Sequence, residues 1–147
     1  MKWTYSLAKH SSMLIAAVVL AGCAGMGMQG VQVSLSGAQE VPAVNTAASG
    51  TGTINVAADK SVSATIRTQG IAGTAAHVHE GAAGSNGPVA VPMTKTSDNE
   101  WTTAAGAKLT DAQYESYKNG RLYFNVHSTQ NKGGEIRGQI KPSGGGY

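Results

Sequence analysis

Apolar and polar residues alternate with a period of two along most of the chain beyond residue 30. Val31, Val33 and Leu35 alternate with Gln32 and Ser34, and Ile54 and Val56 alternate with Thr53 and Asn55. Val62, Ala64 and Ile66 alternate with Ser61, Ser63, Thr65 and Arg67. Farther on, Leu122, Phe124 and Val126 alternate with Arg121, Tyr123, Asn125 and His127. Ile136, Gly138 and Ile140 alternate in turn with Glu135, Arg137 and Gln139. Successive side chains of a strand point to opposite faces, so this pattern predicts strands with one face in a core and one toward water. Runs of this kind, punctuated by Gly, Asn, Asp and Pro, predict a mainly β fold, an antiparallel sandwich or barrel.

Two shorter strands are expected around Val89–Val91 and Trp101–Thr103, with Trp101 as a core aromatic. One helix, over about 110–119, interrupts the strands. Thr110 and Gln113 have the spacing of a capping box, and Leu109 and Tyr114 that of a hydrophobic staple. Asp111 suits the positive end of the helix dipole, and Asn119-Gly120 supplies the stop.

The first 22 residues do not belong to this pattern. Lys2 and Lys9 precede the short apolar run Met13-Leu-Ile-Ala-Ala-Val-Val-Leu20, which reads as a secretory signal and is too short for a membrane span. The run ends in Leu20-Ala21-Gly22-Cys23, which resembles the lipobox of bacterial lipoprotein precursors. That resemblance implies cleavage before Cys23, lipidation of its thiol, and attachment to a lipid bilayer in the cell envelope. No aspartate directly follows Cys23, which by the same resemblance favours the outer membrane over the inner. The expected organisation is a signal peptide over 1–22, a lipidated tether over 23–30, one domain over 31–141 and a flexible tail over 142–147.

Cys23 is the only cysteine, so the domain has no internal disulfide to reinforce it. Loss of Lys2 and Lys9 with the signal leaves nine basic residues against eight acidic ones. With no basic cluster interleaved with aromatics, nucleic acid is not an expected partner.

Four histidines are present, and His10 leaves with the signal. In His77-Val78-His79 the i, i+2 spacing puts both imidazoles on one face of a strand, with Val78 on the other. His127 falls in the polar set of its own strand. If the two strands are neighbours, three neutral imidazoles converge, a set that suits copper or, second, zinc. The plain alternative is three surface histidines. Glu80 and Glu135 are candidates to orient a histidine, or else solvated surface charges. Arg137 is a candidate cation for a small anion, or else an ion-pair partner of one of these carboxylates.

Several segments resemble the chordin-type (CHRD) domain family. They are Leu35-Ser-Gly-Ala-Gln-Glu-Val-Pro42, Ala76-His-Val-His-Glu-Gly81, Gly87-Pro88, Leu109-Thr110 through Gly120, Asn125-Val-His127, and Gly134-Glu-Ile-Arg-Gly-Gln-Ile140. The resemblance implies an immunoglobulin-like, Greek-key antiparallel β-sandwich in an exported protein.

A more local likeness concerns chemistry. Ala76-His-Val-His-Glu80 looks like the segment that supplies two copper ligands in copper–zinc superoxide dismutases, and Gly120-Arg-Leu-Tyr-Phe-Asn-Val-His127 like the strand that supplies another. Gly134-Glu-Ile-Arg-Gly138 resembles the segment bearing the active-site arginine of those enzymes. What this implies is a copper site at His77, His79 and His127, with Arg137 attracting superoxide. The bridging histidine, the zinc-ligand cluster and the disulfide of those enzymes have no counterpart, so only a copper-only form of the site fits. A copper store or carrier with the same ligands, and a metal-free structural or adhesive envelope module, are the competing expectations.

Overall fold

The computed structural model describes residues 1–2 and 30–142. Nearly all of the expected signal peptide, Cys23 with residues 24–29 of its tether, and nearly all of the expected tail therefore lie outside the described residues. The strands are β1 (Val31–Ser36), β2 (Ser49–Val56), β3 (Val62–Gln69), β4 (Gly73–Glu80), β5 (Val89–Ser97), β6 (Glu100–Thr103), β7 (Leu122–Ser128) and β8 (Ile136–Ile140). Among the described residues there is one α-helix, α1 (Asp111–Lys118), between β6 and β7.

All pairings are antiparallel, and the strands close into a barrel in the order β1-β2-β3-β6-β5-β4-β7-β8. The expectation of two packed immunoglobulin-like sheets is thus corrected to one closed sheet. Closure depends on the seam between β1 and β8, where Ser36 pairs with Arg137. Gly138 makes that approach feasible, because a Cβ there would stand 2.5 Å from Val33 Cγ1 and 2.7 Å from the Ser34 carbonyl oxygen. Alternation identifies the inward face of each strand, and it is the same for a sandwich and for a barrel. Whether the two end strands meet is a long-range fact that the pattern does not carry.

An eight-stranded barrel has an interior just wide enough for side chains to fill. Here Leu35, Ile54, Ile66, Val78, Leu122, Phe124, Val126, Ile136 and Ile140 fill it, each no more than 2 % exposed. Burying one such side chain contributes about 1.5–3 kcal/mol, which is how a domain without a disulfide can hold together. Gly52 gives Phe124 its space, since a Cβ there would meet the ring at 2.5 Å. Helix α1 starts as expected: Thr110 Oγ1 accepts from the Gln113 N–H, and Gln113 Oε1 accepts from the Thr110 N–H.

The outer face of β7 and β8 departs from simple alternation. Tyr123, Asn125 and Arg137 point away from the barrel interior, yet all three are buried. Segments 40–48 and 81–88 lie over them. Glu40, itself buried, accepts from Asn125 Nδ2 with both carboxylate oxygens at 3.0 and 3.1 Å. Asn86 ties the two segments together by donating to the Val41 carbonyl at 2.7 Å. A second, polar layer is therefore packed outside the barrel on this side.

Candidate metal centre

β4 and β7 are neighbours, with Ala75 opposite His127, His77 opposite Asn125 and His79 opposite Tyr123. Val78 and Ala76 enter the barrel, so His77 and His79 emerge on its outer face, where His127 joins them from β7. The ring centres lie 5.3 Å apart for His77–His79, 5.0 Å for His77–His127 and 5.8 Å for His79–His127. One nitrogen from each ring falls within 4.8 Å of the others, and the three half-buried side chains could hold a metal ion.

The hydrogen bonds fix the tautomers of two of the rings. His79 Nδ1 lies 2.9 Å from the Gly87 carbonyl oxygen, and His127 Nδ1 lies 2.9 Å from that of Lys132. A carbonyl only accepts, so both rings carry their proton on Nδ1 and present an unprotonated Nε2. His79 Nε2 is buried with no hydrogen-bond partner. Trp101 Nε1 and Asn125 Oδ1 share that condition but lie outside the cluster of donors.

With His127 Nε2 unprotonated, the 3.0 Å contact from His77 Nδ1 is a hydrogen bond that His77 donates, and a metal ion at the site would take the place of that proton. Two nitrogens that bind one ion at about 2.0–2.1 Å, with an angle between square-planar and tetrahedral, stand about 2.8–3.4 Å apart. The observed contact falls inside that range. Burial holds the pKa of each histidine below its ordinary value, and the neighbouring imidazoles add to this at His77. All three rings are thus neutral near pH 7, the state a ligand requires. Three neutral nitrogens with no carboxylate or thiolate among them suit copper or zinc and not calcium or magnesium, which take oxygen ligands.

The other residues singled out in the sequence sit elsewhere. Glu80 accepts from Ser116 Oγ at 2.6 Å, joining β4 to α1, and Glu135 accepts from Thr46 Oγ1 at 2.8 Å. The Glu135 carboxyl is held below its ordinary pKa, first by the Ser128 hydroxyl and then, against the opposing effect of burial, by Thr46 and Asn131. Neither carboxylate bonds a histidine. The carbonyls of Gly87 and Lys132 do that instead.

Arg137 is 1 % exposed. Its guanidinium carbon lies 3.5 Å from the centre of the Tyr123 ring. Its nitrogens donate to the Ala82 carbonyl at 3.0 Å, Gln139 Oε1 at 3.1 Å and Asn86 Oδ1 at 3.4 Å. It lies beneath segment 81–88, one aromatic ring away from His79, which stacks on the same tyrosine.

The CHRD domain family model matches residues 31–140. The chain belongs to the CHRD domain family. Among curated proteins and among solved structures, none matches it. The match to the CHRD domain runs from the start of β1 to the end of β8, so barrel, helix and histidine cluster all fall inside it. Tyr123, Gly87 and Lys132 are the site's supporting residues that sequence reasoning missed, and the burial of Asn125 against Glu40 was missed with them. Tyr123 and Asn125 stand in a polar-face pattern that reads as solvent-facing, and backbone carbonyls leave no signature in a sequence.

Proposed function

We propose that this CHRD domain is held at the cell envelope, in the outer membrane, by a lipidated Cys23, and binds one copper ion through His77, His79 and His127. The observation that carries the reading is His79 Nε2. It is buried without a partner while the other nitrogen of its ring is committed to Gly87. Leaving such a group unsatisfied costs about 1–3 kcal/mol, and a metal ion shared with His77 and His127 removes that cost. Copper is preferred to zinc because it binds a given nitrogen set more tightly. Zinc, which also accepts three histidines and an open position, is the second candidate.

Copper bound there would supply one-electron chemistry between Cu(II) and Cu(I), which superoxide dismutation needs. Such a reaction calls for a cation that meets the anion, the part foreseen for Arg137. One observation favours instead a copper store or carrier: the Arg137 guanidinium is already bonded to Ala82, Gln139 and Asn86 and shielded from solvent. The two uses separate in a pulse-radiolysis assay of the copper-loaded protein. Dismutation predicts superoxide decay proportional to protein and absent from a His77→Ala/His127→Ala variant. A store predicts bound copper with decay at the background rate in both.

A further inference from the structure

We infer that Tyr123 is a positioning residue for the histidine centre, holding His79 in place directly and through Gly87. Its consequence for metal binding rests on the copper reading above; the positioning itself does not. Strand order places β7 between β4 and β8, and the register sets Tyr123 opposite His79 on one side and opposite Gln139 on the other. Arg137, which is opposite Asn125, reaches diagonally to the tyrosine ring, and that ring thus touches both His79 from β4 and Arg137 from β8. Its plane lies 13° from that of the His79 imidazole with ring centres 5.1 Å apart, while the Arg137 guanidinium carbon lies 3.5 Å from its centre. A cation over the face of a shielded tyrosine is attracted by the ring, which holds the ring's orientation.

The hydroxyl of the same tyrosine accepts a hydrogen bond from the Gly87 N–H at 3.1 Å. The Gly87 carbonyl is the acceptor for His79 Nδ1–H. One side chain thus holds His79 twice: the ring lies against the imidazole plane, and the hydroxyl anchors the residue that fixes its tautomer. Position 87 must be glycine for this to happen. A Cβ there would stand 1.7 Å from the Glu80 carbonyl oxygen, so only a residue without one lets segment 81–88 lie this close to β4. Arg137 completes the clamp from behind by donating to Ala82 and Asn86 in the same segment.

The test uses the full-length chain, first without metal. Two-bond nitrogen–proton correlation spectra report which nitrogen of each imidazole carries the proton. The wild type is expected to show His79 as a single Nδ1–H tautomer. Tyr123→Phe keeps the ring and removes the acceptor for Gly87, and a mixture of both His79 tautomers is expected. Copper affinity, measured with Cu(II) against a competing chelator, should then fall about tenfold, the lower end for loss of a partner that orients a ligand. An unchanged His79 tautomer in folded Tyr123→Phe overturns the inference.

Should that variant not fold, hydrogen exchange in the wild type decides. The Gly87 amide should be protected, and exchange as fast as that of Gly84, which has open space around it, overturns the inference. The copper arm reports separately. A tautomer that responds while no chain binds Cu(II) leaves the positioning standing and removes the copper reading. An unchanged tautomer with equal Cu(II) binding does the reverse.

Discussion

Replacing Arg137 by alanine should unfold this domain far more readily than any effect on a solvent-facing charge would allow. The side chain is 1 % exposed and makes charged hydrogen bonds to Ala82 and Gln139. Bonds of that kind are worth about 1.5–3 kcal/mol each, and the contact with Tyr123 adds up to about 2 kcal/mol. Its charge also favours the ionised form of buried Glu40, which the variant leaves with Asn125 and the Val41 backbone N–H. Removing one member of a buried charged network costs about 3–5 kcal/mol in general. The contributions overlap, so that range is the expected total. At the low end of the size scaling, about 4 °C per kcal/mol, the melting temperature should fall by roughly 12–20 °C. Urea unfolding followed by tryptophan fluorescence, with Trp101 buried against Lys95, gives the free energy directly. Arg137→Lys should recover only part of the loss, because an ammonium lacks the planar fork that reaches both acceptors. A loss below about 1 kcal/mol in Arg137→Ala, the size expected of an exposed charge, would refute this reasoning and return Arg137 to the solvent as a guide for anions.

Three further outcomes follow from the packing and the charges. Gly52→Ala drives a methyl into the Phe124 ring and should cost about 1–3 kcal/mol, read as a lower urea midpoint with unchanged slope; a neutral result would mean that Phe124 has room to move. Thr110→Ala removes one half of the capping box and should cost about 1 kcal/mol by the same measurement, with no change in metal binding. Burial raises the Glu40 carboxyl above its ordinary value of 4.5, against the opposing hydrogen bond from Asn125 and charge of Arg137. A raised native value means that the contribution of Glu40 is fully present below the unfolded value and is lost as pH rises through the native one. The stability of the wild type relative to Glu40→Gln should therefore be greatest in acid and decline above pH 4.5; a difference independent of pH contradicts the assignment.

The elements of the barrel could be read from the chain because each is written locally. Val31 to Leu35, Val62 to Ile66 and Leu122 to Val126 alternate, and the structure buries their apolar members, Val31 only in part. The Thr110–Gln113 box starts the helix where its spacing indicates. His77 and His79 share a face for the same geometric reason, and they meet His127 because β4 lies beside β7. Closure could not be read, since it depends on β1 reaching β8 across nearly the whole domain. Nor could the outer layer be read. Alternation assigns Tyr123, Asn125 and Arg137 to the water side, and they are dry only because segments 40–48 and 81–88 fold over them. That same covering supplies Thr46 to Glu135 and the Gly87 carbonyl to His79, while α1 supplies Ser116 to Glu80 and the loop after β7 supplies the Lys132 carbonyl to His127.

Copper stoichiometry on the purified protein, compared with a His77→Ala/His127→Ala variant, tests the central claim most directly. One Cu(II) per chain with nitrogen hyperfine structure in its paramagnetic resonance spectrum, absent from the variant, is the predicted result. Binding no stronger than that of the variant would contradict the copper centre and with it every use proposed for it.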